Sequence, residues 1–361
     1  MKVLIDIGHP AHVHYYSGFA SIMKLHGHEV KFTARKKDVS IDLLRYYNTD
    51  FECVGNTRSG FYRKVIGIVV FSVKIYTICK RFRPDVLMGA GALYLYLASF
   101  SMRLPIVIST NTEVDPIMWL YARFLPCIIT PRSFSYRIPS KKHVTYPGNC
   151  EMAYLHPKRF SPDEKVLAKY GIKPKERLIL VRFVSFVASD DYGKRGIDGT
   201  SKVKLINRLL SYGKVIISSE SELNDELSRY RLESNPEYEV GDLQSLEYYA
   251  ELFIGDSGAM ASECSVLGTP SIYVSSKSLG FISELTDKYK LCYQLIDIDD
   301  AIGKAIELLS SEDTARIWEL RRERLLFEAI DVSAFLVWFI ENYPQSFMRL
   351  QATPDYVSIF R

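Results

Sequence analysis

The sequence predicts an α/β protein of two Rossmann-like domains, and three observations carry that prediction. The first is size and composition: 361 residues with 47% apolar and 24% charged content suffice for two domains with real cores. The second is the opening, where a strand at 2–7, a loop, a helix and a strand at 29–34 follow one another as in a Rossmann-like half. The third is a strand-turn-helix unit over residues 250–267, with a Ser-Gly turn at its centre.

In order along the chain, 2–7 is the first strand, interrupted by Asp6 and too short in its apolar run for a signal peptide. Gly8 to His14 forms a loop into a helix over 15–25, which His26-Gly27-His28 ends. The opening lacks G-x-G-x-x-G, so it is no dinucleotide fingerprint. His9, His12 and His14 have no cysteine nearby, and Asp6, the one carboxylate close in sequence, falls within the strand, so no metal shell is expected there. Residues 61–82 read as a long helix mixing apolar bulk with Arg63, Lys64, Lys74, Lys80 and Arg81, and Arg83 follows at its end. Its apolar run, 65–73, is too short to span a bilayer; the composition suits either an interfacial helix or a core helix. A strand at 85–88, a turn at 89–91 and a helix at 94–102 come next. After the strand at 104–110 come Asn111, Thr112, Glu113 and Asp115, at a carboxyl end where open α/β sheets place ligand contacts. Strands at 127–130 and 143–146 finish the first domain.

The second domain begins after a linker with a short helix at 162–170. Its first strand, 178–181, is followed directly by Arg182 and a polar segment from Ser185 to Gly199 with Asp190, Asp191, Lys194 and Arg195. A helix at 202–211, a strand at 214–218 and a helix at 243–250 lead to Gly255-Asp256-Ser257-Gly258-Ala259 and a helix to 267. A strand at 271–274, a loop and helix over 279–288, and helices at 300–310, 314–329 and 333–341 complete the chain, with a tail from Tyr343. The expected boundaries are 1–155, 156–332 and 333–361.

The turn at 256–259 has a definite chemistry. The first N–H groups of a helix lack partners within it and favour an anion. Ser257 adds a hydroxyl, Gly258 leaves room for close approach, and Glu263 projects from the second turn. A phosphate at the helix start with a ribose diol on Glu263 fits this pattern; so does a well-capped helix with one surface glutamate.

Val240 to Leu243, Leu246 to Ala250, Phe253 to Gly258, Glu263, Gly268 and Pro270 resemble the donor-nucleotide signature of GT-B enzymes. Two relatives are similar: the UDP-N-acetylglucosamine 2-epimerases, and the N-acetylglucosaminyltransferase that completes the lipid-linked peptidoglycan precursor. The spacing from Ser257 to Glu263 matches the epimerases. The whole chain also resembles a family of archaeal and bacterial proteins of unknown function in this superfamily. The resemblance implies a GT-B fold, with two Rossmann-like domains facing across a cleft. It implies pyrophosphate contacts at Ser257 and Gly258, flanked by Asp256 and Ala259, and a ribose contact at Glu263. Arg182, with Ser185 after it, is the nearest match to an arginine that contacts nucleotide in the epimerases. His12 matches the loop histidine of the transferase, although Pro10-Ala11 stand where that family has glycines. The catalytic acids of the epimerases have no match at Ala90 or at Ser109 to Asn111, which leaves Glu113 and Asp115 as unassigned carboxylates.

The first reading is therefore a glycosyltransferase that moves a sugar from a UDP-sugar, with His12 as base and Glu113 and Asp115 as further catalytic candidates. Epimerisation and non-catalytic nucleotide-sugar binding are the alternatives. No Asp-x-Asp lies in the donor motif to hold a divalent ion on the diphosphate, and no metal or cofactor beyond the donor itself is expected. Residues 1–155 carry 20 Lys and Arg against 10 Asp and Glu, while the remainder carries 26 against 32. A basic first half suits an acidic or lipid-linked acceptor and a peripheral contact with an anionic membrane. No nucleic-acid module appears. Six cysteines without C-x-x-C pairs point to a reducing, cytoplasmic setting.

Overall fold

A computed structural model describes the chain apart from residues 37–38, 57–60, 92, 112, 114–121, 123, 137, 186–196 and 221, and apart from the side chains of 61–65 and 140. The chain divides into two compact units, one of Met1–Arg159 with Ala329–Arg361 and one of Phe160–Glu328.

In the first unit β1 (Lys2–Ile7), β2 (Glu29–Lys36), β3 (Phe51–Asn56), β4 (Val86–Gly89), β5 (Ile106–Ser109), β6 (Ile128–Pro131) and β7 (His143–Tyr146) form one sheet in the order β3-β2-β1-β4-β5-β6-β7. In the second, β8 (Leu178–Phe183), β9 (Lys214–Ser219), β10 (Leu252–Gly255), β11 (Ser271–Val274) and β12 (Cys292–Leu295) run in the order β12-β11-β10-β8-β9. Every pairing between these strands is parallel. Strands covered by helices on both faces are apolar almost throughout: Val3, Leu4 and Ile5 are fully buried, as are Leu252, Phe253 and Ile254. Each strand order reverses direction once, between β1 and β4 and between β8 and β10. Parallel α/β sheets bind ligands outside the strand carboxyl ends at such switch points.

The structure corrects several expected boundaries. The first helix runs Pro10–Leu25, five residues earlier than expected. Proline at the first helical position is already set to helical φ, and the His9 side chain caps the start by accepting from Ala11 N–H. Strand β8 continues to Phe183, because β9 and β10 pair with it as far as Ser219 and Gly255; Arg182 therefore lies within the strand. The helix Ser40–Tyr46 and strands β3 and β12 carry too weak a pattern to stand out in sequence and are fixed by their neighbours. The expected tail contains a helix, Gln345–Ala352, and a tight turn, Pro354–Phe360.

The helix Phe61–Phe82 is apolar on two sides. Phe71, Ile75, Ile78 and Cys79 enter the core, while Ile66, Val69, Val73 and Tyr76 are exposed. The exposed four recur at spacings of three and four, so they form one stripe. No helix among the described residues is long and apolar enough to cross a membrane.

The C-terminal helix Val332–Glu341 packs on Pro10–Leu25 within the first unit. Phe335 and Phe339 are fully buried, with the Phe335 ring 5.9 Å from Tyr146 and 5.7 Å from Phe360. Trp338 is partly buried and lies 5.3 Å from Tyr356 and 5.4 Å from Phe360. The entry to this helix is fastened by Asp331, whose carboxylate takes two arms of Arg159 and caps Ala334 N–H at 3.0 Å. Truncating a buried aromatic in such a cluster costs about 3–5 kcal/mol. Phe335→Ala is thus expected to destabilise the first unit by that amount in chemical denaturation. A loss below about 1 kcal/mol would mean that the C-terminal helix contributes little to that core.

Candidate functional site

In the second unit the switch point is built from the ends of β8, β9 and β10. Strand β10 ends beside β8, with Asp256 N–H donating to the Arg182 carbonyl at 3.2 Å. The Asp256 side chain is 4% exposed. It accepts Val184 N–H at 2.8 Å and Ile197 N–H at 3.4 Å, so it holds both ends of the segment after β8. Burial pushes its carboxyl up to about 6, against those amides and the charge of Lys202. Asp256 is thereby a fastening for the loop.

Ser257 is the N-cap of the helix Gly258–Leu267, and its Oγ accepts Met260 N–H at 3.4 Å. The hydroxyl proton remains available for donation. Ala261 N–H returns to the Ser257 carbonyl at 3.0 Å. The amides of Gly258 and Ala259 have no acceptor among the described residues, which leaves two donors at the positive end of the helix dipole. A Cβ on Gly258 would lie 2.8 Å from Leu279 Cδ1, so the side chain is excluded by packing as well. Glu263 is 8% exposed, and with it Glu247 is fully buried nearby, for both charges help burial hold the Cys264 thiol far above its ordinary range. The surface-glutamate alternative for Glu263 is therefore set aside.

Arg182 points along the edge of the sheet rather than into open solvent. Its guanidinium donates to Ser218 Oγ and to Glu220 Oε1, each at 2.6 Å. Glu220 Oε2 accepts both the amide and the hydroxyl of Ser185 at 3.2 Å. Burial opposes the Glu220 charge, but Arg182 and Ser185 outweigh it and hold the carboxyl below its ordinary range. Glu220 is the residue that sequence reasoning missed here. Its position at the carboxyl end of the strand beside β8 was the available signal.

In the first unit the switch point lies between the ends of β1 and β4. His12 sits in the first turn of its helix, and its Nδ1 accepts Gly8 N–H at 3.3 Å. In the neutral ring that contact puts the remaining proton on Nε2. His14 is buried, bonded to the Tyr47 hydroxyl at 2.8 Å and stacked on Tyr154; burial lowers it to about 4. Asp6, 3% exposed, accepts from Thr33 Oγ1 and the Tyr94 hydroxyl. Burial raises its carboxyl, with Arg35, Tyr94 and Thr33 acting the other way. Glu113 is 5% exposed and accepts from Ser135 Oγ at 2.8 Å. Asp115, like Thr112 and the 190–195 charges, lies outside the described residues. The structure thus groups Arg182, Ser185, Asp256, Ser257, Gly258 and Ala259 at one switch point, with Glu263 on the helix that starts there. His12 is at the other.

The chain belongs to the family described as Protein of unknown function (DUF354), whose model matches residues 1–331. It is 22% identical over 330 residues to an uncharacterised protein of Methanocaldococcus jannaschii, covering 87% of this chain and 95% of that one. Among solved structures it resembles the UDP-GlcNAc 2-epimerase of Neisseria meningitidis bound to UDP-GlcNAc, at 13% identity and a TM-score of 0.67, covering 95% of this chain and 100% of that one. It also resembles a glycosyltransferase of Streptomyces sp. SF2575, at 11% identity and a TM-score of 0.58, with coverage of 95% and 100%. These likenesses establish the GT-B fold and nothing finer.

The raised Asp256 carboxyl has a consequence for stability. A carboxyl with a folded pKa above its unfolded one binds more protons when folded, so its contribution is greatest below the unfolded value and is lost as pH rises through about 6. The expected loss is on the order of 2 kcal/mol between roughly pH 4 and pH 6. Urea denaturation across this range should show the decline in the wild type and a flatter profile in Asp256→Asn. Identical slopes would mean that Asp256 ionises as freely as an exposed carboxylate.

Proposed function

We propose that this chain binds a UDP-sugar at the β8–β10 switch point of the second unit and transfers the sugar to an acceptor served by the first. One observation carries the reading: the helix Gly258–Leu267 starts there with a serine cap, a glycine and two amides without acceptors among the described residues. A diphosphate is the ligand whose charge and oxygen count suit those donors. The same donors stabilise the charge that grows on the leaving diphosphate, a role that needs no metal ion. Glu263 is assigned the ribose, and Arg182 with Ser185, joined through Glu220, the shaping of the nucleotide's edge of the site. The liganded epimerase of the same fold supports a nucleotide-sugar as the ligand class.

The acceptor hydroxyl must lose a proton as the new bond forms. Glu113 and Asp115 belong to the reading as carboxylates beyond β5, and His12 as the group beyond β1. In the neutral ring Nδ1 accepts from Gly8 N–H and the proton is on Nε2, so His12 serves as base only by giving up its Gly8 contact or by exchanging tautomers. Epimerisation is the second reading, favoured by the Ser257-to-Glu263 spacing.

The first unit's exposed stripe of Ile66, Val69, Val73 and Tyr76 supports a peripheral membrane contact, since exposed Lys80, Arg81 and Arg83 follow it on the same segment. Apolar insertion beside cations suits an anionic bilayer surface, each cation adding about 1 kcal/mol.

Calorimetry with UDP tests the donor site. Ser257→Ala and Glu263→Gln are each expected to weaken binding by about tenfold or more, the loss of a hydrogen bond to a charged group. Unchanged affinity in both variants would overturn the assignment. Incubation with UDP-GlcNAc and no acceptor separates the two reactions: an intact sugar supports transfer, and a changed C2 configuration supports epimerisation. For the membrane contact, co-sedimentation with phosphatidylglycerol vesicles is expected at low salt, to weaken at high salt and in Val69→Asp/Val73→Asp. Protein that stays in the supernatant at low salt would exclude it.

A further inference from the structure

The helix Thr314–Glu328 of the second unit is held to its core along a narrow line. Thr314, Trp318 and Leu325 are its buried residues. With 3.6 residues per turn, these three fall within about 40° of one another around the helix axis. Leu320 and Phe327 project from the opposite face, with Ile317 toward its edge. All three are exposed, Leu320 at 57% and Phe327 at 77%. A single exposed apolar side chain is ordinary, but a set that recurs on one helical face suits the face of another helix.

The charges on that face say which helix. Residues 320, 323, 324 and 327 are spaced three and four apart, so Glu323 and Arg324 lie between Leu320 and Phe327 on the same surface. Glu323 is exposed and makes no hydrogen bond or ion pair among the described residues. Arg324 donates Nε to Glu328 at 3.3 Å and Nη1 to the Lys288 carbonyl at 3.2 Å, and its Nη2 has no acceptor among the described residues. The order apolar, acid, base, apolar is complementary to its own reverse. Two copies laid antiparallel about a two-fold axis between 323 and 324 set Leu320 against Phe327 of the second copy and Glu323 against Arg324 of the second copy. Each contact then occurs twice, as an isologous interface requires. The other arrangements are disfavoured by charge. A parallel pair sets Glu323 against Glu323 and Arg324 against Arg324. An antiparallel pair centred on Leu320 sets Arg316 against Arg324.

We propose that this face of the second unit is a homodimer contact, in which it pairs antiparallel with the same face of a second copy of the chain. The contact is one helix wide, smaller than the roughly 800 Å² that a standard interface buries on each partner. The dimer is therefore weak, with a dissociation constant on the order of 10–100 μM. The proposal does not depend on the donor-site reading.

Sedimentation equilibrium of the full-length chain, from about 5 to about 500 μM, is the test. The weight-average mass is expected to rise toward that of a dimer across this range. Glu323→Arg and Arg324→Glu, each alone, are expected to weaken association at least tenfold, because like charges then oppose each other. An equimolar mixture of the two variants is expected to associate again, since every opposed pair is once more of opposite sign. Leu320→Asp/Phe327→Asp is expected to stay monomeric and to keep the wild-type midpoint in urea, since both side chains are exposed. A wild type that remains monomeric throughout overturns the proposal, as do charge variants that associate like the wild type or a mixture that associates no better than its components. A lowered urea midpoint in Leu320→Asp/Phe327→Asp also overturns it, for these side chains would then be contacts within the chain.

Discussion

Parallel pairing is the constraint on which the rest of the structure depends. With all strands of a sheet running one way, every strand-to-helix turn leaves from the same edge. In the second unit this brings Arg182 from β8, Ser218 and Glu220 from the end of β9, and Asp256 to Ala259 from β10 into one neighbourhood. Residues up to 77 positions apart in sequence become neighbours by that single rule. The buried Asp256 carboxylate then makes the arrangement specific, because it ties the segment after β8 to the turn after β10.

The same topology yields two different helix starts. After β10 the chain places Ser, Gly and Ala, small residues that leave first-turn amides open to a ligand. After β1 it places His9, Pro10, Ala11 and His12, and these satisfy or remove their own amides. A helix start of the first kind recognises an anion through its backbone. One of the second kind has used the amides of Gly8, Ala11 and His12 within itself. The two starts follow different strands of their switch points: β1 is the first strand of its unit, and β10 is the strand that pairs with the first strand of the other.

The helix Phe61–Phe82 shows how far periodicity carries. Its apolar residues were legible, but two apolar stripes on one helix look the same in sequence as one broad buried face. Only packing separates Ile75 and Cys79, fully buried, from Val69 and Val73, which face outward.

By itself the sequence determined the α/β class, most strands and helices, and the Ser257–Gly258 turn. Each of these depends on local chemistry: apolar runs bury, serine caps, and glycine permits close approach. The start of the first helix was missed by five residues because a histidine cap is outside the usual vocabulary of Ser, Thr, Asp and Asn. Strands β3 and β12 were missed because their own patterns are weak, whereas the edge strands β7 and β9 stand out in sequence. The tertiary structure decided what the polar side chains do. It gave Asp256 a role as a loop fastening, paired Arg182 with Glu220 and buried Glu263. Hydrogen bonding and desolvation depend on which groups meet across strands, and that information exists only once the sheet is formed.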